Sequence, residues 1–299
     1  MASQLVRRLG IILGMVVLLL LLTGAGIYLM SDRVLARTYD VTSAPLTIPT
    51  DSASLRHGRN LVTGRLVCVD CHGDDLGGRV VIDGMPFGRF VGSNLTPAGV
   101  GRDYRDADWI RAIRHGVRPD GTSLLFMPSD VFASLGAEDL GAVIAYVKSI
   151  PPVTRELPAT ALGPIGRMLV ATNKAPLVIA RNIDQDAPLP VPPPEGETPE
   201  YGRYLVASGG CYACHGPSLS GGKFAGGPED PPASNLTPAG IGQWSEQDFF
   251  RAFREGTRPG GTPIHPFMPW RTMGRMTDSE LRAIYLYLKT VPPRPFGDS

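Results

Sequence analysis

Cys211-Tyr212-Ala213-Cys214-His215 is the second copy of a pattern that first stands at Cys68-Val69-Asp70-Cys71-His72. Together the two copies use all four cysteines of the chain. Each sets two sulfur nucleophiles a helical turn apart and an imidazole directly after the second. That is the signature of covalent c-type haem attachment, in which the thiols add to the vinyl groups and the His turns onto the iron. A bare C-x-x-C has other uses: a redox dithiol, a disulfide, or half of a zinc site, and two pairs can form one centre with four thiolates. None of these explains a His after the second Cys in both copies. The reading predicts two covalently bound haem c groups, held by Cys68, Cys71, Cys211 and Cys214, with His72 and His215 as iron ligands.

The chain has 299 residues and a formal charge of +1. That length favours two domains with modest cores. The balanced charge argues against nucleic acid as a partner. From Leu9 to Met30 the chain is apolar and uncharged, with Arg7 and Arg8 before it and Asp32 and Arg33 after it. About 20 residues at ~1.5 Å each span a bilayer. A cleaved signal peptide is the alternative, with a shorter apolar part and a small-x-small site that Thr23 to Gly26 match poorly. Segment length predicts an uncleaved anchor. Charge orients it weakly, since Arg33 and Arg37 balance Arg7 and Arg8. Covalent haem attachment is completed outside the cytoplasmic membrane, so the expected location is that membrane, single-pass, with the haem domains on the periplasmic side.

The second half repeats the first. Ser93 to Gly99 (S-N-L-T-P-A-G) recurs at Ser234 to Gly240, Arg118-Pro119 at Arg258-Pro259, and Phe126-Met127-Pro128 at Phe267-Met268-Pro269. A two-copy period of this length means tandem domains. The expected organisation is an anchor at 1–31, a stalk at 32–51, a first domain at 52–152, a Pro-rich linker at 153–197 and a second domain at 198–299. Pro188 to Pro194 should form a semi-rigid spacer, whereas Ile165 to Ile183 is apolar enough to lie against a domain.

Each copy reads as helices joined by Gly/Pro-rich loops. Ser245 with Asp248, and Thr277 with Glu280, make capping boxes. Leu281, Ile284, Tyr285 and Leu288 form a helical stripe, which Leu140, Val143, Ile144 and Val147 repeat. These stripes read as packing faces.

This order of helix, C-x-x-C-H, loops, Met and terminal helix resembles the class I cytochrome c fold over about 52–152 and 198–293. The expected fold class is therefore all-α: an N-terminal transmembrane helix followed by two tandem cytochrome c domains. The stretches around Asn94 and Asn235 resemble the cytochrome subunits of membrane-bound alcohol, aldehyde and sugar-acid dehydrogenases, which typically carry three haems. The resemblance implies Met127 and Met268 as sixth iron ligands, soft thioethers that raise the haem potential. Met85, Met273 and Met276 compete without a matching partner in the other copy, and His265 reads as a loop residue near the haem edge. His57 and His115 have no His counterparts and read as surface or satisfied polar groups. The resemblance further suggests a close helix crossing at Gly58 and Gly202. It also suggests haem-propionate contacts from Tyr104, Trp244, Arg118 and Arg258, while Asn94 and Asn235 read as turn residues.

Two six-coordinate haems leave no open iron, so the expected role is electron transfer without catalysis and without a small-molecule substrate. Donors would be a periplasmic dehydrogenase or a quinol-oxidising complex. Acceptors would be a terminal oxidase or a soluble cytochrome, with the chain acting as a carrier or as a permanent subunit of such a complex. The rival is a di-haem peroxidase or haem-based sensor, which needs a vacant or displaceable sixth site.

Overall fold

A computed structural model describes residues 2–42, 45–223 and 230–298. Helix α1 (Ala2–Leu35) is continuous, about 50 Å long at ~1.5 Å per residue. It is long and apolar enough to cross a membrane, and its apolar stretch is not packed inside the protein. Its base is held: Val34 and Leu35 pack into an apolar cluster on the first repeat. The following segment also lies on that repeat, through Tyr39 N–H to Gly121 O (2.9 Å) and through Leu46 and Ile48 against the core.

The first repeat opens with α2 (Ser52–Asn60), whose N-cap Asp51 accepts from the Ala53 and Ser54 amides. A π-helical turn, Leu61–Arg65, then leads to α3 (Cys68–His72). Gly58 precedes Cys68 by one residue more than Gly202 precedes Cys211. The Leu66 N–H to Leu61 O bond (2.9 Å) absorbs that extra residue as an i to i−5 turn.

Strands β1 (Arg79–Gly84) and β2 (Gly88–Gly92) form an antiparallel hairpin after α3. Then follow α4 (Asp106–Ile110), α5 (Ser129–Phe132) and α6 (Ala137–Ser149). A short β3 (Ala161–Leu162) joins β2 to complete a three-stranded sheet. An all-α description is therefore not exact. β-branched and aromatic side chains at Val80, Val81, Ile82, Phe90 and Val91 favour extended backbone over helix, and Phe90 is buried where the hairpin packs. Helix α7 (Pro164–Thr172) lies against α1. Its Val170, with Leu177, Val178 and Phe90, forms the cluster that holds the α1 base.

The Pro-rich stretch then runs along the first repeat. The Arg114 guanidinium donates to Ala187 O (2.7 Å) and Pro188 O (2.8 Å), and Leu189 packs on the core.

The second repeat comprises α8 (Pro199–Ser208), α9 (Cys211–His215), α10 (Pro238–Ile241), α11 (Glu246–Arg254), α12 (Trp270–Met273) and α13 (Asp278–Thr290). The capping boxes at Ser245/Asp248 and Thr277/Glu280 form as the sequence reads. In each repeat the first and last helices cross at a glycine. A Cβ on Gly58 would lie 2.0 Å from Ala142 O, and one on Gly202 1.9 Å from Ala283 O. Only glycine permits that approach. The stripes of α6 and α13 are buried as packing faces: Leu140, Val143, Ile144 and Val147 in one core, Leu281, Ile284 and Leu288 in the other. Each such side chain contributes about 1.5–3 kcal/mol on burial.

Candidate functional site

Two cavities carry the chemistry-bearing residues, one in each repeat. The first, of about 180 Å³, is lined by Cys68, Cys71, His72, Tyr104, Arg118 and Met127 among apolar side chains. The second, of about 280 Å³, is lined by Cys211, Cys214, His215, Trp244, Arg258 and Met268. All twelve site residues expected from the sequence thus fall into two matching sets. Because the two cysteine pairs line different cavities, a shared four-thiolate zinc centre is excluded.

Both histidines are oriented in the same way. His72 Nδ1 donates to Ser93 O (2.7 Å) and His215 Nδ1 to Ser234 O (2.7 Å). A carbonyl only accepts, so Nδ1 carries the proton and Nε2 keeps its lone pair. Burial lowers the pKa of both rings below the usual histidine range, so each is neutral. A neutral imidazole fixed at one nitrogen is a prepared metal ligand.

The repeated S-N-L-T-P-A-G segment builds this orientation. Its Ser supplies the carbonyl, and its Asn clamps the loop. Asn94 Oδ1 accepts from the Thr96 amide (3.0 Å) and hydroxyl (2.7 Å), while Nδ2 donates to Val153 O (2.7 Å). Asn235 does the same with Thr237 (2.9 and 2.7 Å) and Arg294 O (2.8 Å). Each Asn therefore ties the His-orienting loop to the chain just beyond the last helix, a role more specific than a turn residue. Neither Asn lines its cavity.

Burial pushes the Cys68 and Cys211 thiols up to about 12 and also raises Cys71 and Cys214. Redox dithiols and zinc ligands need the opposite, a stabilised thiolate. None of the four is joined in a disulfide. Trp109 Nε1 is buried with no partner beside the first cavity, an orphan donor that suits an acidic group on an occupant. Tyr104 packs edge-on against the same Trp109 (centroids 5.0 Å apart). Arg258 Nη2 donates to Ser234 Oγ (3.1 Å), and Arg118 to Thr122 Oγ1 (3.3 Å) and Ser123 O.

The competing ligands are sorted by position. Met85 is exposed, and Met276 is buried in the second core. Met273 and His265 line the second cavity with Met268. His57 is bonded to Asp139 (2.6 Å) and His115 to Gln185 Oε1 (2.8 Å), both satisfied polar contacts.

Sequence reasoning missed what lies between the cavities. Leu66, Pro128 and Phe132 line both, so the cavities share an apolar wall supplied by the first repeat. Gly210 of the second repeat faces Val131 beside this wall, and its φ of +76° is what calls for glycine there. Beside the wall Arg65 is 1 % exposed. It ion-pairs with Asp139, lies 3.6 Å from Glu280 of the second repeat, and stacks over the Tyr204 ring (5.4 Å). Tyr204 Oη in turn donates to Asp139 (2.6 Å). The Thr272 hydroxyl to Asp70 (2.5 Å) and Arg275 Nη1 to Thr63 O (3.3 Å) complete the junction. The only sequence signal for Arg65 was the extra residue before Cys68.

Residues 199–292 match the cytochrome c family, and residues 53–147 match cytochrome c oxidase, cbb3-type, subunit III. Among curated proteins, the chain is 31% identical over 309 residues to the cytochrome c subunit of alcohol dehydrogenase (quinone) from Gluconacetobacter polyoxogenes, covering 91% of this chain and 61% of that protein. It is 28% identical over 249 residues to the fructose dehydrogenase cytochrome subunit of Gluconobacter japonicus, covering 76% of this chain and 50% of the relative. Over 96 residues it is 38% identical to the gluconate 2-dehydrogenase cytochrome c subunit of Pantoea cypripedii, covering 29% of this chain and 21% of the relative. The chain thus spans less than two thirds of the length of these relatives. Cytochrome c domains imply covalently bound haem c, and the paired thiols, prepared imidazole and apolar lining of each cavity fit that group.

Proposed function

We propose that this chain is a membrane-anchored di-haem c-type cytochrome, since residues 199–292 match the cytochrome c family and residues 53–147 match cytochrome c oxidase, cbb3-type, subunit III. It transfers electrons from a membrane or periplasmic donor to a terminal oxidase or soluble cytochrome. The names of its relatives favour a membrane-bound dehydrogenase as partner, with this chain as its electron-transfer subunit. In this reading α1 is the anchor and both repeats lie on the periplasmic side.

Haem supplies the redox chemistry, an iron that alternates between ferric and ferrous. The chain supplies the rest. Cys68 and Cys71 form the thioethers of the first site, Cys211 and Cys214 those of the second. His72 and His215 would present Nε2 to the metal, and Met127 and Met268, on the same cavity linings, would supply its thioether ligands. Tyr104, Trp109 and Arg118, with Trp244 and Arg258, offer donors to the acidic edge of the group. The apolar linings exclude water and keep reorganisation small. Leu66, Pro128 and Phe132 leave one apolar layer between the sites, a short path for an electron.

The observation that carries this reading is the matched cavity pair, each with C-x-x-C-H and Met on its lining. The test is intact mass together with spectra under carbon monoxide. Two covalent porphyrin adducts, and no fast stoichiometric carbon monoxide binding after reduction, are expected. A single adduct would overturn the di-haem relay, and two adducts with one haem that binds carbon monoxide rapidly would overturn it in favour of a peroxidase or sensor.

A further inference from the structure

The first repeat carries an apolar rim beside the exit of α1. Three large apolar side chains outside α1 stand exposed there: Met85 (74 %), Ile165 (41 %) and Met168 (40 %). Ile165 and Met168 share the outer face of α7, while Gly166 and Val170 on its other face are buried. Met85 belongs to the β1–β2 turn, which abuts the start of α7 through Ile165 N–H to Pro86 O (3.1 Å) and Gly163 N–H to Phe87 O (2.9 Å). The rim is therefore one continuous surface.

Its position along α1 is fixed. The Arg167 guanidinium stacks over the Tyr28 ring (4.5 Å) and bonds Ser31 Oγ (2.9 Å) and Asp32 Oδ1 (2.5 Å). Ser31 is fully buried by this contact. Tyr28 lies two residues inside the end of the apolar stretch that runs from Leu9 to Met30. An aromatic ring with a guanidinium at the end of an apolar span is the composition of a membrane–water boundary. α7 is thus held level with that boundary, its apolar face unpartnered.

We propose that α7 and the β1–β2 turn lie on the lipid surface, with Met85, Ile165 and Met168 entering the headgroup–acyl boundary. This rests on the reading of α1 as a retained anchor. The occupant is lipid because the rim is continuous with the lipid-facing surface of α1, and because an apolar helix face of this kind buries itself about 5–10 Å into the boundary. The contact fixes the tilt of the first repeat. It also brings the first cavity towards the membrane, since Phe87 of the same turn stacks on Phe90 (5.2 Å), which lines that cavity.

The test uses the full haem-loaded chain in lipid nanodiscs. Met85→Cys, Met168→Cys and, as a remote control, Val191→Cys (Val191 is 93 % exposed) are alkylated with a charged maleimide. Each rate is normalised to the same variant in urea, and the parent chain corrects for native thiols. Exposure alone separates position 168 from 191 by little more than twofold. Lipid burial disfavours the reactive thiolate and should slow positions 85 and 168 by about tenfold or more relative to 191. Rates within about threefold of the control, on a sample whose mass shows α1 retained, overturn the lipid contact alone and leave a protein partner as the occupant of the rim. A mass showing α1 removed overturns the anchor reading and the contact with it.

Discussion

Arg65→Met tests whether the junction between the repeats is held by one buried charge. The side chain is 1 % exposed and is held by groups of both repeats: Asp139 of α6, Glu280 of α13 and the Tyr204 ring. Methionine has a similar length, so the packing against Gly209, where a Cβ would meet the Arg65 stem at 3.5 Å, is largely kept. What changes is the charge. Breaking a buried ion pair costs about 3–5 kcal/mol, because the partner is left uncompensated. Asp139 would retain His57 Nε2 (2.6 Å) and Tyr204 Oη (2.6 Å), so the loss should sit near the lower bound, about 3 kcal/mol. At a urea slope of ~1–3 kcal/mol/M this lowers the midpoint by about 1 M or more. Far-UV circular dichroism of the haem-loaded chain in detergent reads it. The double variant Arg65→Met/Asp139→Asn should recover part of the loss, since it removes the stranded carboxylate. A single variant within about 0.5 kcal/mol of the parent, or a double variant that adds the two losses in full, refutes the coupling.

Three further outcomes follow from the geometry. Met127→Ala and Met268→Ala should each abolish the Met-to-iron charge-transfer band of one haem, lower its potential and admit carbon monoxide there; an unchanged spectrum for Met268→Ala transfers the ligand role to His265 or Met273, which line the same cavity. Gly58→Ala and Gly202→Ala should each destabilise by about 3 kcal/mol as the helix crossing is forced open, while Gly84→Ala, with nothing within 4 Å of its Cβ, should leave the thermal midpoint nearly unchanged. The junction should also depend on pH. Bonding to Asp139 raises the His57 pKa, so its stabilisation is complete below about 6.5 and is lost as pH rises through the higher folded value. His57 and Arg65 hold Asp139 well below the carboxylate range despite its burial, so that contribution is present above about 4 and lost only as pH falls through the lower folded value. Unfolding midpoints should therefore be highest between those limits, and His57→Gln should remove the alkaline decline.

What the sequence disclosed was what each repeat needs locally. The C-x-x-C-H spacing, the recurring Phe-Met-Pro and the capping boxes are determined within a few residues of chain: the capping boxes form as read, and the other two motifs come to line one cavity in each repeat. The role of Asn94 and Asn235 was only half legible. The turn was visible, but the bonds to Val153 O and Arg294 O depend on where the end of the last helix returns in space. The hairpin β1–β2 was missed because its alternating stretch is short and its extended form depends on pairing with β3 and on packing of its Phe90 against Val170, Leu177 and Val178. Arg65 was missed for a different reason. On the chain it is a cation in a loop before Cys68, and only the docking of the second repeat buries it.

The misses at the hairpin and at Arg65 share one cause, because the features the two repeats have in common serve the cavities and the features that differ serve the neighbours. Counted back from the C-x-x-C-H motif, Leu66 and Val67 of repeat one stand where repeat two has Gly209 and Gly210, so a bulky surface next to the Arg65 π-turn meets a bare one across the shared wall. Repeat one has the β1–β2 hairpin leading through α7 to α1, where repeat two, among the described residues, has the isolated pairing of Gly222 with Ala233. The substitutions that break the repeat symmetry therefore fix the distance between the cavities and, on the proposed anchoring, the distance between the first cavity and the bilayer, both of which a pair of separate cytochromes would have to find by diffusion. A relay whose spacing is built into the fold does not depend on the encounter of its two centres, so its internal step should be independent of protein concentration and only weakly affected by salt.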